Sequence, residues 1–142
     1  MARIPQTLMN PSMGVAASAL RAQQARMRVI AENIANADST AQTPGGQPYR
    51  RQVPVFEPER TGRSEVGGVR MTGVRPDMSA MRQEYDPNHP GADAQGYVLL
   101  PNVESLVEAL DMREAQRAYE ANLNVIQTAR SMDQHLLDIL KK

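Results

Sequence analysis

Residues 101–142 read PNVESLVEALDMREAQRAYEANLNVIQTARSMDQHLLDILKK, and after Pro101 neither glycine nor proline interrupts them. Both residues oppose helix, proline by lacking an N–H donor and glycine by its backbone freedom. One long helix over 103–140 is therefore predicted, with Asn102 as its cap and Glu104 in its first turn. At 1.5 Å per residue it would run about 57 Å. Its apolar residues include Val103, Leu106, Val107, Leu110, Met112, Tyr119, Leu123, Ile126, Leu136, Leu137 and Leu140, with Ala115 and Ala129 on nearby faces. So long a helix outruns what a middle segment of about fifty residues can cover, so other helices must cover it.

The opposite end of the chain carries a similar signal. Eight of the ten prolines and eight of the nine glycines fall between Pro44 and Pro101, which leaves both ends almost free of helix breakers. Asn10-Pro11 is a helix start, since Asn accepts a bond from an orphan amide and Pro at the first helical position has no N–H to leave unpaired. From there Met13, Ala16, Leu20, Gln23, Met27, Ile30 and Ile34 recur at alternating steps of three and four, the spacing of a coiled-coil seam. Arg21, Arg26, Arg28 and Glu32 occupy the other face. The pattern stops near Asn36, before Asp38-Ser39-Thr40 and Thr43-Pro44-Gly45-Gly46, so the first helix is predicted over 11–36.

Between the helices lie short runs bounded by Pro, Gly or Asp: Tyr49 to Phe56, Val66 to Val74, Met81 to Tyr85 and Tyr97 to Leu100. These read as strands. Val69, Met71 and Gly73 alternate with Arg70 and Thr72, as in a half-exposed strand, and Pro54 confines the first run to an edge. The expected fold is mainly α with a small β-rich middle: long N- and C-terminal helices pairing as a coiled coil, with short irregular strands between. Residues 1–43 and 97–142 would form the terminal helical assembly region, and 44–96 the strand-rich and loop-rich middle.

Composition narrows the function. With one Phe, no Trp and four Tyr, a thick self-contained core is not expected. Net charge is zero with the two signs interspersed, so no long-range field draws in nucleic acid or an anionic bilayer. The absence of cysteine excludes disulfides, thiolate metal sites and Cys nucleophiles. No stretch approaches the roughly 20 apolar residues of a membrane-spanning helix. Ala17-Ser18-Ala19 mimics a cleavage site, but Gly14 and Ser18 interrupt the apolar stretch, so no cleaved signal is expected.

Several sharper motifs fail on inspection. Asp86, Asn88 and Gly91 have a faint likeness to a calcium loop, but Pro90 and Tyr97 stand where ligands are needed. His89 and His135 are too few to build a transition-metal site, no Ser-His-Asp context occurs, and no Gly-rich loop has phosphate-cradling spacing. No cofactor, metal or catalysis is expected. The arginines at 50, 51, 60, 63, 70 and 75 could meet a polyanion or peptidoglycan, but a solvated strand face paired to Glu57, Glu59 and Glu65 is the favoured reading. The methionines of the first helix read as packing rather than a ligand surface.

The residues also carry a resemblance. Asn33-Ile34-Ala35-Asn36-Ala37, a Thr-Pro-Gly-Gly turn and Pro48-Tyr49-Arg50-Arg51 resemble the signature of rod, hook and related axial proteins of the bacterial flagellum. Tyr85-Asp86-Pro87-Asn88-His89-Pro90, Ala92-Asp93, Gly96-Tyr97-Val98 and Pro101-Asn102-Val103 resemble the pre-helix segment of its proximal-rod subunits. Ala118-Tyr119-Glu120-Ala121-Asn122 and Thr128-Ala129-Arg130-Ser131-Met132 resemble the C-terminal helix of the whole axial family.

The resemblance implies a non-enzymatic subunit exported by the flagellar type III apparatus without a cleaved signal. It would polymerise in the periplasm into a helical, torque-transmitting tube. Implied partners are further copies of itself, other proximal rod proteins, the membrane-ring adaptor and the distal rod. The implied assembly interface comprises the first-helix seam with Leu106, Leu110, Tyr119, Asn122, Leu123, Ile126, Leu136 and Leu140. Gln23 and Asn122 are candidates for fixing register at a cost in stability. The reading from another class is a soluble coiled-coil adaptor, in which the same seams close into a discrete dimer or bundle; another axial subunit of rod or hook type is the alternative within the family.

Overall fold

The structure, a computed structural model, describes residues 11–60 and 67–141. Its elements are α1 (Pro11–Ala35), β1 (Gln52–Glu59), β2 (Gly68–Pro76), β3 (Arg82–Tyr85), β4 (Tyr97–Leu100) and α2 (Ser105–Leu140). The fold is mixed, with two long helices and two small antiparallel strand pairs, β1 with β2 and β3 with β4. Both helices lie within two residues of their expected bounds. Asn10, Val66, Arg63 and Glu65, which figure in the expectations above, lie outside the described residues.

One expectation is corrected at the start of α2. Glu104, not Asn102, holds the cap position, in extended backbone and with no side-chain cap bond. The Asn102 side chain is engaged elsewhere. Its Oδ1 accepts the Arg51 N–H at 2.8 Å, and its Nδ2 donates to the carbonyl of Asp77 and to the Ser79 hydroxyl, each at 2.9 Å. Bonds that join chain segments far apart in sequence have displaced the local capping bond.

The first hairpin passes through Pro54 and Pro58, which a two-stranded ribbon tolerates because both its strands are edges. A register shift between Val55 and Phe56 leaves Thr72 as the extra residue on β2. The ribbon lies along α1, whose other side packs against α2. Its approach is close at Gly68. A Cβ there would stand 2.3 Å from the Ser18 hydroxyl, which accepts the Val69 N–H at 3.1 Å and donates to the Val15 carbonyl at 2.7 Å.

The helices run antiparallel, since Asn33 meets Glu108, Arg26 meets Asp111 and Glu114, and Ser12 lies beside Asn124 to Met132. Their buried residues are mostly small: Ala16, Ser18 and Ala22 on α1, Ala115 and Ala129 on α2, with Val29 and Ile30 the larger apolar members. Gln23 is half-buried, and its Oε1 is shielded from water without a partner. An unsatisfied acceptor costs about 1–3 kcal/mol. Gln23→Leu is therefore expected to raise the unfolding free energy by about 1 kcal/mol in urea titration; a loss of stability would mean that the amide is bonded through water.

The second hairpin packs on neither α1 nor the first hairpin. It is tied instead to the loops, Arg82 donating to the carbonyls of Ala37 at 2.9 Å and Pro101 at 3.0 Å. Gly96 closes its turn with φ of +84°, and a Cβ there would lie 2.9 Å from the Tyr85 ring.

Candidate functional site

Two features of the fold can carry function: a buried polar clasp that sets how the helices meet, and the large apolar side chains that the helices leave uncovered.

The clasp is built around Asn33, in the last turns of α1 and 1% exposed, and Glu108, in the first turn of α2 and 0% exposed. Asn33 pairs with the backbone of Gln52 as another strand would. Its Oδ1 accepts the Gln52 N–H and its Nδ2 donates to the Gln52 carbonyl, both at 2.9 Å. The same Oδ1 accepts the Tyr49 hydroxyl at 2.8 Å, and the second amide hydrogen reaches Glu108 Oε2 at 3.4 Å. All four bonding positions of the amide are thus used, a set that neither Asp nor Ser can reproduce.

Arg51, at the entry to β1, completes the clasp. Its Nε donates to Glu108 Oε1, and its two terminal nitrogens lie 3.4 Å from Asp77 and 3.5 Å from Asp111. Burial opposes the charge of Arg51, but the bond to Glu108, its negative charge and then Asp77 outweigh it and hold the guanidinium's proton more tightly than in a free arginine. Asp77 is held below 3.8 by bonds from the Ser79 backbone and hydroxyl, with Arg51 adding to the effect. This corrects the reading of the arginine cluster. Arg51 is the cation of a shielded network, and Arg50 donates to the carbonyls of Asp77 and Ser79. Arg60, Arg70 and Arg75 are exposed, and no ion pair joins them to Glu57 or Glu59 among the described residues.

Tyr49 gives the clasp an alkaline limit. Burial first, then the charges of Glu32 and Glu108, raise its pKa above 10.0. A phenol raised in the folded state contributes stability that is complete below the unfolded value and disappears as pH rises through the folded one. Stability is therefore expected to decline above about pH 10, and Tyr49→Phe to flatten that decline while costing about 1 kcal/mol at neutral pH. An unchanged alkaline slope in Tyr49→Phe would assign the effect to another group.

Of the remaining motif residues, Ala35 ends α1, and Asn36 folds back on it, Nδ2 donating to the Glu32 carbonyl at 2.8 Å. Asp86, Pro87 and Pro90 shape the turn after β3, where Asp86 Oδ1 accepts the Asn88 N–H. His89 Nδ1 accepts the Gly91 N–H at 2.9 Å, leaving Nε2 to bond Thr40 Oγ1 at 2.9 Å. Gly96 and Pro101 are buried, and Tyr97 is 44% exposed. Asp86, Pro87, Pro90, Gly96 and Tyr97 thus belong to the second hairpin, which is tied to the loop after α1 by the Thr40–His89 and Arg82–Ala37 bonds and to the approach to α2 by the Arg82–Pro101 bond.

The seam residues divide. Ala16 and Ile30 are buried, Met13, Leu20, Gln23 and Met27 half-buried, and Ile34 is exposed. On α2 the line facing α1 runs through Glu108, Ala115, Asn122 and Ala129, seven residues apart and small or polar. Asn122 turns its Nδ2 to the Ala118 carbonyl of its own helix at 2.7 Å. Tyr119 and Ile126 are half-buried, whereas Leu106, Leu110, Leu123, Leu136 and Leu140 are exposed, as are Val125, Met132, Leu137 and Ile139. Val125 and Met132 line an open groove of about 310 Å³ beside Ser12. The longer helix thus turns its small residues toward its partner and its large ones outward, the reverse of a self-contained bundle.

Sequence reading overlooked Glu108, whose signal is the seven-residue repeat it shares with Ala115, Asn122 and Ala129. Among the described residues no His, Cys, Asp and Glu group could hold a metal, and no helix is long and apolar enough to cross a membrane.

Comparison with known proteins adds a second line. The family described as flagella basal body rod protein matches residues 13–41, and the flagellar basal body rod FlgEFG protein C-terminal family matches residues 94–139. The flagellar basal-body rod protein FlgC of Agrobacterium fabrum is 45% identical over 127 residues, covering 89% of this chain and 91% of the relative. Its counterpart in Borreliella burgdorferi is 42% identical, covering 92% and 96%. That of Salmonella typhimurium is 42% identical, covering 83% and 87%.

Proposed function

The chain belongs to the FlgC family of flagellar basal-body rod proteins, and from that premise we propose how its two helices serve the rod. It is a structural subunit of the flagellar basal-body rod, and its role is assembly rather than catalysis. The observation that carries the proposal is the outward placement of the large apolar residues of α2.

In this reading α1 and α2 form the inner layer of the rod, where the exposed leucines meet the helices of neighbouring subunits as a coiled coil. Residues 1–43 and 97–142 build that layer, and 44–96 lie outside it. The clasp holds the pair at a fixed angle, so that every subunit offers the same surface. A contact that does not close on itself then yields a helical tube able to transmit torque. Neighbours would be further copies, other proximal rod proteins, the membrane-ring adaptor and the distal rod, reached after type III export into the periplasm without cleavage. Gln23 contributes register rather than stability, in keeping with its unpartnered oxygen.

A density map of an intact basal body with this chain traced tests the assignment. The reading requires α2 in the innermost wall with Leu106, Leu110, Leu123, Leu136 and Leu140 against other subunits. Tracing the chain with those side chains facing solvent would overturn it.

A further inference from the structure

Two surfaces of the molecule are left incomplete, and each supplies what the other lacks. The first is a groove of about 250 Å³ between the outer side of α1 and β2. Its floor is apolar, from Ala22, Ala25, Val69 and Met71, and Arg21, Arg28 and Arg70 stand around it with Glu59. All three arginines are exposed, and none of their guanidinium groups has a hydrogen bond or ion pair among the described residues. The second is the β3–β4 hairpin. Two of the chain's five aromatic residues sit on it side by side, Tyr85 64% exposed and Tyr97 44% exposed, edge to face at 5.3 Å. Around them are Glu84, Asp86 and Asp93, exposed and without a cationic partner among the described residues.

We propose that the arginine-rimmed groove of one molecule receives the tyrosine-bearing acidic hairpin of a second copy of this chain. The match is chemical on both counts. Guanidinium groups pair with carboxylates and stack on aromatic faces, and tyrosine and arginine are the residues that most often anchor protein interfaces. The apolar floor offers the rings a place to lose water. The hairpin cannot serve its own groove, because it packs on neither α1 nor the β1–β2 ribbon. One patch meeting a different patch is a heterologous contact, which continues from copy to copy. The proposal deepens the assembly reading, resting on the chain being a polymerising subunit, and adds a second, outer contact to the helical one.

The natural absence of cysteine makes the test direct. Full-length chains carrying Arg70→Cys alone and Glu84→Cys alone are purified, mixed and oxidised with copper phenanthroline. The expected result is a mixed disulfide dimer, about tenfold less of it in 1 M salt than at low salt because screening weakens exposed charge pairs, and a ladder of higher species when both substitutions share one chain. A control mixture of Arg130→Cys with Glu84→Cys sets the background. Mixed dimer no more abundant than that background overturns the proposal, as does a Arg70→Cys chain that dimerises with itself as readily as with Glu84→Cys, which would make the contact symmetric. Swimming of cells expressing the doubly substituted chain reports the rod role separately: motile cells whose basal bodies hold the chain only as monomer after oxidation would remove the groove contact and leave the rod reading standing.

Discussion

Glu108→Ala is expected to lower the unfolding free energy by about 3–5 kcal/mol, the usual cost of removing one partner from a buried ion pair. The carboxylate is fully buried and serves two groups, accepting from Arg51 on one oxygen and from Asn33 on the other. Its removal leaves the guanidinium with only the outlying Asp77 and Asp111, and orphans an amide hydrogen of Asn33. Glu108→Gln keeps the shape and one acceptor, so its loss should be smaller, about 1–3 kcal/mol. Urea unfolding of the three proteins checks the order. A loss below about 1 kcal/mol in Glu108→Ala would mean that water enters the space and replaces the carboxylate.

The consequence for assembly follows from where the clasp sits. It joins the end of α1, the start of β1, the turn at Asp77 to Ser79 and the first turn of α2, so loosening it frees the angle between the helices at their only polar junction of this depth among the described residues. Replacing the charges with apolar groups of similar size, Glu108→Leu with Arg51→Met, should restore much of the stability. It should not restore the fixed geometry, because Leu and Met offer no direction to the Asn33 amide.

How much of this was legible in the sequence depended on the range of the interaction. The helices were readable because their causes are local: breakers concentrated between Pro44 and Pro101, Pro11 opening α1, and an uninterrupted stretch after Pro101. Asn102 misled for the same reason. It is a good local cap, but its amide joins Arg51, Asp77 and Ser79, and distance along the chain hides such a demand. Arg51 and Glu108 are 57 residues apart, and each alone looks like a solvated charge. The candidate surface was visible only as a list of apolar residues. That Ala115 and Ala129 point inward while Leu106, Leu110 and Leu136 point outward depends on where α1 lies, which periodicity does not specify.

Leu136→Asp with Ile139→Asp is expected to abolish incorporation into the basal body, and swimming with it, while leaving the isolated chain as stable as before. Both side chains are exposed, 58% and 69%, near the end of α2 beyond Ala129, which lies beside the described start of α1. Solvent-exposed substitutions of this kind change stability by about 0.5 kcal/mol or less. In a dry contact with a neighbouring helix, by contrast, losing an anchoring side chain costs about 2 kcal/mol or more, and burying an unpaired carboxylate adds to it. Two such changes amount to at least about 4 kcal/mol, nearly a thousandfold in affinity for each contact made. Leu123 and Ile126 are weaker test sites because Ile126 is half-buried, so a charge there would also disturb the folded chain. Unfolding curves of the purified variant and swimming of cells that carry it separate the outcomes. Wild-type swimming would mean that this end of α2 meets solvent in the rod, and the large residues on its outer side would then need another explanation.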